Sequence, residues 1–182
     1  MTHTEVHADA VRLLTDWAAP DAAQSSLREA YLAFLDARDD ATMRSCVPGH
    51  LTASAIVLSA DRTQTLLTLH PRVGRWLQLG GHCEDGDATL AGAALREATE
   101  ESGIVELSLE PSLVQLEVHP ITCSLAVPTR HFDVRFTAIA PEGATPVISA
   151  ESDDLRWWPI ADLPVPVDPG LDAALLRVAL QR

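Results

Sequence analysis

The chain contains no lysine; all thirteen of its basic residues are arginine. That absence excludes any mechanism built on a Schiff-base lysine or on the lysine of a phosphate-binding P-loop. No run of about 18 apolar residues occurs, so no membrane span is expected. The opening MTHTEVHADAVRLLTDW lacks the basic start and apolar centre of a signal peptide. Cysteine is scarce: Cys46, Cys83 and Cys123 are an odd number, widely spaced and without a CxxC pair. They supply neither a disulfide framework nor a zinc motif and suit a reducing cytoplasm, the expected location. Positive charge is also short, with 26 acids against 13 bases for a net charge of −13. Such a chain is a poor non-specific binder of nucleic acid, which relies on basic surface to displace counterions. If it handles a polyanion, it needs clustered arginines or metal cations; acidity by itself also serves solubility.

What is present is enough for one medium domain. The 182 residues are 47% apolar, ample for a core. The first fifty residues read as helical and somewhat separate. Val6, Ala10, Leu13, Leu14 and Trp17 form an apolar stripe at helical spacing before Pro20. A second helix is expected from Asp21, which can cap free amides with Gln24 three residues on, and Leu27, Tyr31, Leu32 and Leu35 share one of its faces. From His50 the period becomes that of strands: LTASAIVLS, a turn at Ala60-Asp61-Arg62, TQTLLTLH, and a short strand at Trp76-Leu77-Gln78-Leu79. A glycine-rich loop leads to a helix expected from about Ala88 to Ser102, which Gly103 is placed to end in a left-handed conformation. Strands LVQLEVH and HFDVRFTAI follow, then one near Leu155-Trp158, and a last amphipathic helix LDAALLRVALQR. The fold class is α+β: a mixed sheet flanked by helices, with residues 1–48 as a helical N-terminal extension and 49–182 as the main domain.

The chemistry is concentrated in GGHCEDGDATLAGAALREATEESGI, Gly80 to Ile104. Glu97, Glu100 and Glu101 lie at i, i+3 and i+4 and so share one helix face. Like charges this close repel by roughly several tenths of a kcal/mol per neighbouring pair, and the helix C-terminus disfavours anions further. A hard divalent cation such as Mg²⁺, which prefers carboxylate and water oxygens, offsets both. A bare ExxEE is otherwise read as a solvated acidic face.

The surroundings change that reading. The Gly-Gly turn and the Arg96-Glu97 pair make the stretch resemble the Nudix family signature, Gx5Ex7REUxEExGU with U a bulky aliphatic. Gly81 matches the opening glycine, Asp87 the first acid, Arg96-Glu97 the RE pair, Glu100-Glu101 the EE pair and Gly103-Ile104 the close. Three departures stand out. Asp87 replaces glutamate, eight residues rather than seven separate it from Arg96, and Ala98 fills the bulky aliphatic position. In the family that acid and arginine brace the loop against the helix, so the bracing is expected to differ here. The resemblance implies a Nudix-type α/β/α sandwich binding Mg²⁺ or Mn²⁺ through Glu97 and Glu101, with Glu100 assisting and a backbone carbonyl at Gly81. Arg96 would orient the carboxylates. The implied reaction is attack of metal-activated water on a nucleoside diphosphate linked to another group, a small-molecule, nucleotide-type partner; homodimers are common in the family.

Other residues complete the expected site. HFDVRFT alternates, with Phe132, Val134 and Phe136 facing one way and His131, Asp133 and Arg135 the other. Arg135, and Arg72 or Arg75 before Trp76, are candidate phosphate partners, and Trp76 belongs to the same candidate substrate wall. ESDDLRWW resembles the Nudix region that offers a general base: Glu151 is the first choice, with Asp153 and Asp154 as alternatives. Trp157 or Trp158 can stack on a base while the other joins the core. His82 is a candidate for a place behind the metal ligands, and Cys83 reads as an ordinary small residue. Two other activities fit the resemblance. A Nudix module that binds or senses a ligand without catalysis usually has eroded carboxylates, whereas all three glutamates are kept here, and the extension, with eight acids and four arginines, is a poor DNA reader. An isoprenoid-diphosphate isomerase on the same fold would need an activated cysteine, and the flanks of Cys83 do not activate it.

Overall fold

The computed structural model describes residues 3–122, 128–150 and 152–180. Among these, four helices and eight strands follow one another as α1 (His3–Asp16), α2 (Ala22–Ala37), β1 (His50–Leu58), β2 (Gln64–His70), β3 (Arg75–Leu77), β4 (Leu79–His82), α3 (Leu90–Ser102), β5 (Ser108–Leu109), β6 (Gln115–Thr122), β7 (Pro128–Ile139), β8 (Asp154–Pro159) and α4 (Leu171–Leu180). The strands form one mixed sheet. Its central pair, β1 and β7, is parallel from His50↔His131 to Leu58↔Ile139. Every other pairing is antiparallel: β1 with β2 and β4, β2 with β3 and β8, β7 with β5 and β6.

All nine positions of β1 are buried, as a central strand covered on both faces requires. Its odd positions, Leu51 to Val57, meet α3 and the N-terminal helices, while Ile56 and Leu58 meet α4 on the other face. The even positions nearest the strand's start are polar instead: His50, Thr52 and Ser54, all buried. One sheet face therefore changes along its length from apolar under α4 to polar. Of the candidates expected from sequence, Arg135 lies on that polar half, with His131 and Asp133 of the same strand.

The helical extension shares the core with the sheet. Val6, Ala10 and Leu14 of α1 and Tyr31 and Leu35 of α2 sit in one cluster with Leu51, Leu90 and Phe136. Tyr31 donates to the backbone carbonyls of Glu117 (2.6 Å) and Asp133 (2.9 Å), and Phe34 stacks on Phe132 at 4.4 Å. Asp21 caps α2 by accepting from the Gln24 amide at 2.9 Å. The Gln24 side chain does not close the reciprocal capping box. It pairs with both backbone groups of Leu116 (3.0 and 2.7 Å), docking α2 on β6.

Local details also depart from the sequence pattern. The expected strand at Trp76–Leu79 is two strands, β3 and β4, with Gln78 between them, because β3 pairs with β2 and β4 with β1. The two-residue β5 carries no usable period. No helix among the described residues is long and apolar enough to cross a membrane.

Candidate active site

Helix α3 starts at Leu90, two residues later than expected, because Thr89 is its N-cap and accepts from the Gly92 amide at 2.9 Å. Gly103 ends it at φ 68°, the left-handed conformation the sequence suggests. Its buried face is Leu90, Ala93, Ala94, Ala98 and Ser102, opposite Ala53 and Ala55 of the sheet. Small residues on both surfaces let helix and sheet approach closely. Ala98, wholly buried among Ala55, Val57, Leu66 and Leu79, is thereby explained: a bulky aliphatic would push the helix off.

That close approach sets the glutamates against the Gly80–Gly81 backbone. The Gly80 amide donates to Glu101 Oε2 at 3.1 Å. A Cβ on Gly81 would stand 2.8 Å from the Glu97 carboxylate and would displace it from this position. Arg96 holds the remaining carboxylates, with Nη1 reaching Glu97 at 3.2 Å and Glu100 at 3.0 Å.

The expected change in bracing resolves into a preserved contact. Arg96 forks onto both oxygens of Asp87, Nε at 3.1 Å and Nη2 at 2.9 Å, while Nη2 also donates to the His82 carbonyl at 2.9 Å. Asp87 in turn accepts from the Glu84 amide at 2.7 Å, closing the loop. The shorter acid and the extra loop residue occur together with the fork intact. Burial pushes the Asp87 carboxyl up, but Arg96 and the Glu84 amide hold it net below the usual range. The Arg96 guanidinium is correspondingly held more firmly protonated, chiefly by Asp87.

Glu97 is pushed up to about 7 by burial, with Glu100 and Glu84 adding repulsion that Arg96 only partly offsets. This fits a cation: a buried carboxylate, two like charges around it, and oxygen donors from glutamates and backbone. Glu84, an exposed acid of the loop, stands outside the helical spacing that marks the other glutamates in the sequence. Asp9 stands outside it too; its Oδ2 accepts from the Leu90 amide at 2.9 Å, so α1 helps cap α3.

The other expected site residues fall in different places. Arg75 is exposed, with a 3.4 Å hydrogen bond to the Val167 carbonyl. Trp76 is 8% exposed and packs edge-to-face on Trp158 at 5.2 Å. Trp157 and Trp158 pack against the cores of opposite sheet faces. Arg135 is 1% exposed and paired with Glu117 (2.5 Å), Asp133 (3.0 Å) and Asp168 (2.9 Å). Burial opposes its charge, but these three carboxylates keep it raised above the ordinary value. Asp133 also accepts from Thr52 at 3.0 Å, Ser54 at 2.8 Å and Gln78 at 3.3 Å. The alternation of HFDVRFT thus yields a buried polar layer rather than an open polar face. Asp153 donates its amide to the Leu69 carbonyl, and Asp154 pairs with Arg156 at 2.6 Å. Glu151 and Cys123 lie outside the described residues. Cys83 is 5% exposed, its thiol pushed up to about 12 by burial, which leaves no activated cysteine there.

A family model, the NUDIX domain, matches residues 48–178, well over half of the chain. The chain belongs to the Nudix hydrolase family. Solved structures agree in fold. The Nudix domain of Shewanella oneidensis NrtR, solved with ADP ribose, is 22% identical with a TM-score of 0.59, covering 76% of this chain and 92% of that one. Escherichia coli dihydroneopterin triphosphate pyrophosphohydrolase is 19% identical at 0.59, covering 72% and 96%. A Caenorhabditis elegans Ap4A hydrolase is 17% identical at 0.58, also covering 72% and 96%. At these identities the likeness is one of fold. Among curated protein sequences nothing matches.

Proposed function

We propose that this Nudix hydrolase cleaves a diphosphate bond in a nucleoside diphosphate linked to another group, with Mg²⁺ or Mn²⁺ held by Glu97, Glu101 and the Gly81 carbonyl, and Glu100 assisting. The observation that carries the reading is the clasp of Glu97 and Glu101 on the Gly80–Gly81 backbone, with Arg96 bridging Glu97, Glu100 and Asp87. When bound, the cation supplies a lowered water pKa and neutralises diphosphate charge. The protein's own part is positional. Arg96 fixes two carboxylates and ties them to the loop, while the alanine interface sets the helix's distance from the glycines. Arg75, on the exposed rim, is assigned to substrate phosphate, and Glu151 to general base, with Asp153 and Asp154 next.

The relatives named above act on or bind Ap4A, dihydroneopterin triphosphate and ADP ribose, compounds sharing phosphoric anhydride bonds. A panel of ADP-ribose-type sugars, dinucleotides and modified nucleoside triphosphates, assayed with Mg²⁺ and with product identification, tests the reading. On the compound that is cleaved, Glu97→Gln and Glu101→Gln should each lower kcat by roughly 10²–10⁴. Wild-type turnover in both variants would overturn the assignment. Tight binding without turnover across the panel would favour the ligand-sensing module instead.

A further inference from the structure

On the opposite sheet face from Glu97, three histidines meet. His50 opens β1, His131 is its paired neighbour on β7, and His82 ends β4 opposite Thr52. The ring centroids form a triangle with all three sides 5.0 Å. One ring nitrogen from each lies within 4.8 Å of the other two. The Nε2 atoms of all three are buried and have no hydrogen-bond partner. A single buried orphan nitrogen is costly, and three orphans at one point imply a shared partner.

We propose that His50, His82 and His131 bind one divalent transition-metal ion of the zinc type, at a site separate from the glutamate cluster. The donor chemistry selects the ion. Three imidazoles suit Zn²⁺, Ni²⁺, Co²⁺ or Cu²⁺, whereas Mg²⁺ and Ca²⁺ take oxygen. The tautomer of His50 is already set, because its Nδ1 lies 3.3 Å from the Cys46 carbonyl, which can only accept. The proton therefore sits on Nδ1, which leaves the unpartnered Nε2 its lone pair for a ligand, the usual support of a metal-bound histidine by a backbone carbonyl. Nitrogens around a tetrahedral zinc stand roughly 3.3 Å apart, given Zn–N of about 2.0–2.1 Å, so modest side-chain rotation closes the triangle. The three backbone positions are fixed by sheet pairing, a more rigid platform than a loop.

The nearby charges divide. Asp133, two residues beyond His131, favours a cation, and Arg44 opposes one; its charge is felt by all three imidazoles. Arg44 is exposed on the segment between α2 and β1, whereas Asp133 is buried and held by Thr52, Ser54 and Arg135. His119, with its ring 5.3 Å from that of His131, borders the site on β6. The proposal does not depend on the hydrolase reading.

The test uses the untagged full chain, stripped with chelator and titrated with Zn²⁺ by calorimetry, then loaded with Co²⁺ for its visible spectrum. One equivalent should bind in the wild type and equally in a Glu97→Gln/Glu101→Gln background. In the His50→Gln/His131→Gln variant, affinity should fall on the order of 100-fold or more, and Arg44→Ala should bind at least as tightly as wild type. Loss of the equivalent in the glutamate background, with retention in the histidine variant, would place the ion on the glutamates and overturn the proposal. So would no Zn²⁺ binding at all, including the case where inorganic phosphate alone raises the melting temperature through the histidines and Arg44. If the histidine variant does not fold, X-ray absorption on the zinc-loaded wild type decides. Three imidazole ligands support the site, and an all-oxygen shell overturns it.

Discussion

The Leu90 backbone amide donates to Asp9 Oδ2 at 2.9 Å, so the first helix of the chain caps the helix that carries the glutamates. Asp9 is 9% exposed and is itself paired with Arg12. Two caps, Asp9 and Thr89, thus serve the start of α3. Asp9→Ala should cost about 1 kcal/mol, the usual value of a helix cap, and Asp9→Asn markedly less, since an amide oxygen still accepts. Urea unfolding of both variants checks this. Equal stability of Asp9→Ala and wild type would show that Thr89 suffices.

Asp87 sits 6% exposed in the Arg96 fork. Restoring the family's glutamate there adds a methylene to a filled position. Asp87→Glu alone should destabilise the fold by something like 1–3 kcal/mol, read from urea unfolding, and reduce turnover. The same change with one residue of the 88–89 loop deleted should recover much of both. Full stability of the single variant would mean that the extra loop residue and the shorter acid are unrelated.

Glu97 gives a pH dependence whose sign is fixed by its raised value. Its pKa is raised to about 7 in the fold from an ordinary 4.5, so the folded state holds the proton more tightly. The associated stability is complete below about 4.5 and is lost as pH rises through about 7. In chelator, the wild-type melting temperature should fall across this window, and the Glu97→Gln variant should show a flatter profile. Mg²⁺ binding near pH 7 should release protons, seen as a dependence of calorimetric heat on buffer ionisation enthalpy. Identical profiles for wild type and variant would remove Glu97 as the titrating group.

Arg135 is the residue whose sequence reading and position differ most. It was a candidate for substrate phosphate, and it lies instead among Glu117, Asp133 and Asp168. Removing one partner from a buried ionic cluster leaves uncompensated charge, at about 3–5 kcal/mol. Arg135→Ala should therefore lower the unfolding midpoint strongly. A raised KM with an unchanged midpoint would return Arg135 to direct substrate contact.

The sequence by itself determined the glutamate helix, its left-handed glycine end and the succession of helices and longer strands, though not the β3/β4 division or β5. All of these rest on local rules: a 3.6-residue period, a two-residue period, and the φ that glycine tolerates. The local spacing of Gly81, Arg96, Glu97, Glu100 and Glu101 was enough for the family, because those residues act within one loop and one helix. Tertiary structure alone decided the rest. Asp9 caps a helix 81 residues away, Gln24 spends its amide on Leu116, and Arg135 meets Asp168 across 33 residues. His50, His82 and His131 have no common spacing in the chain; parallel pairing of β1 with β7 and antiparallel pairing with β4 bring them to one point. Period two marks which side of a strand a residue faces, but whether that side meets solvent, a helix or two other histidines depends on what packs over it.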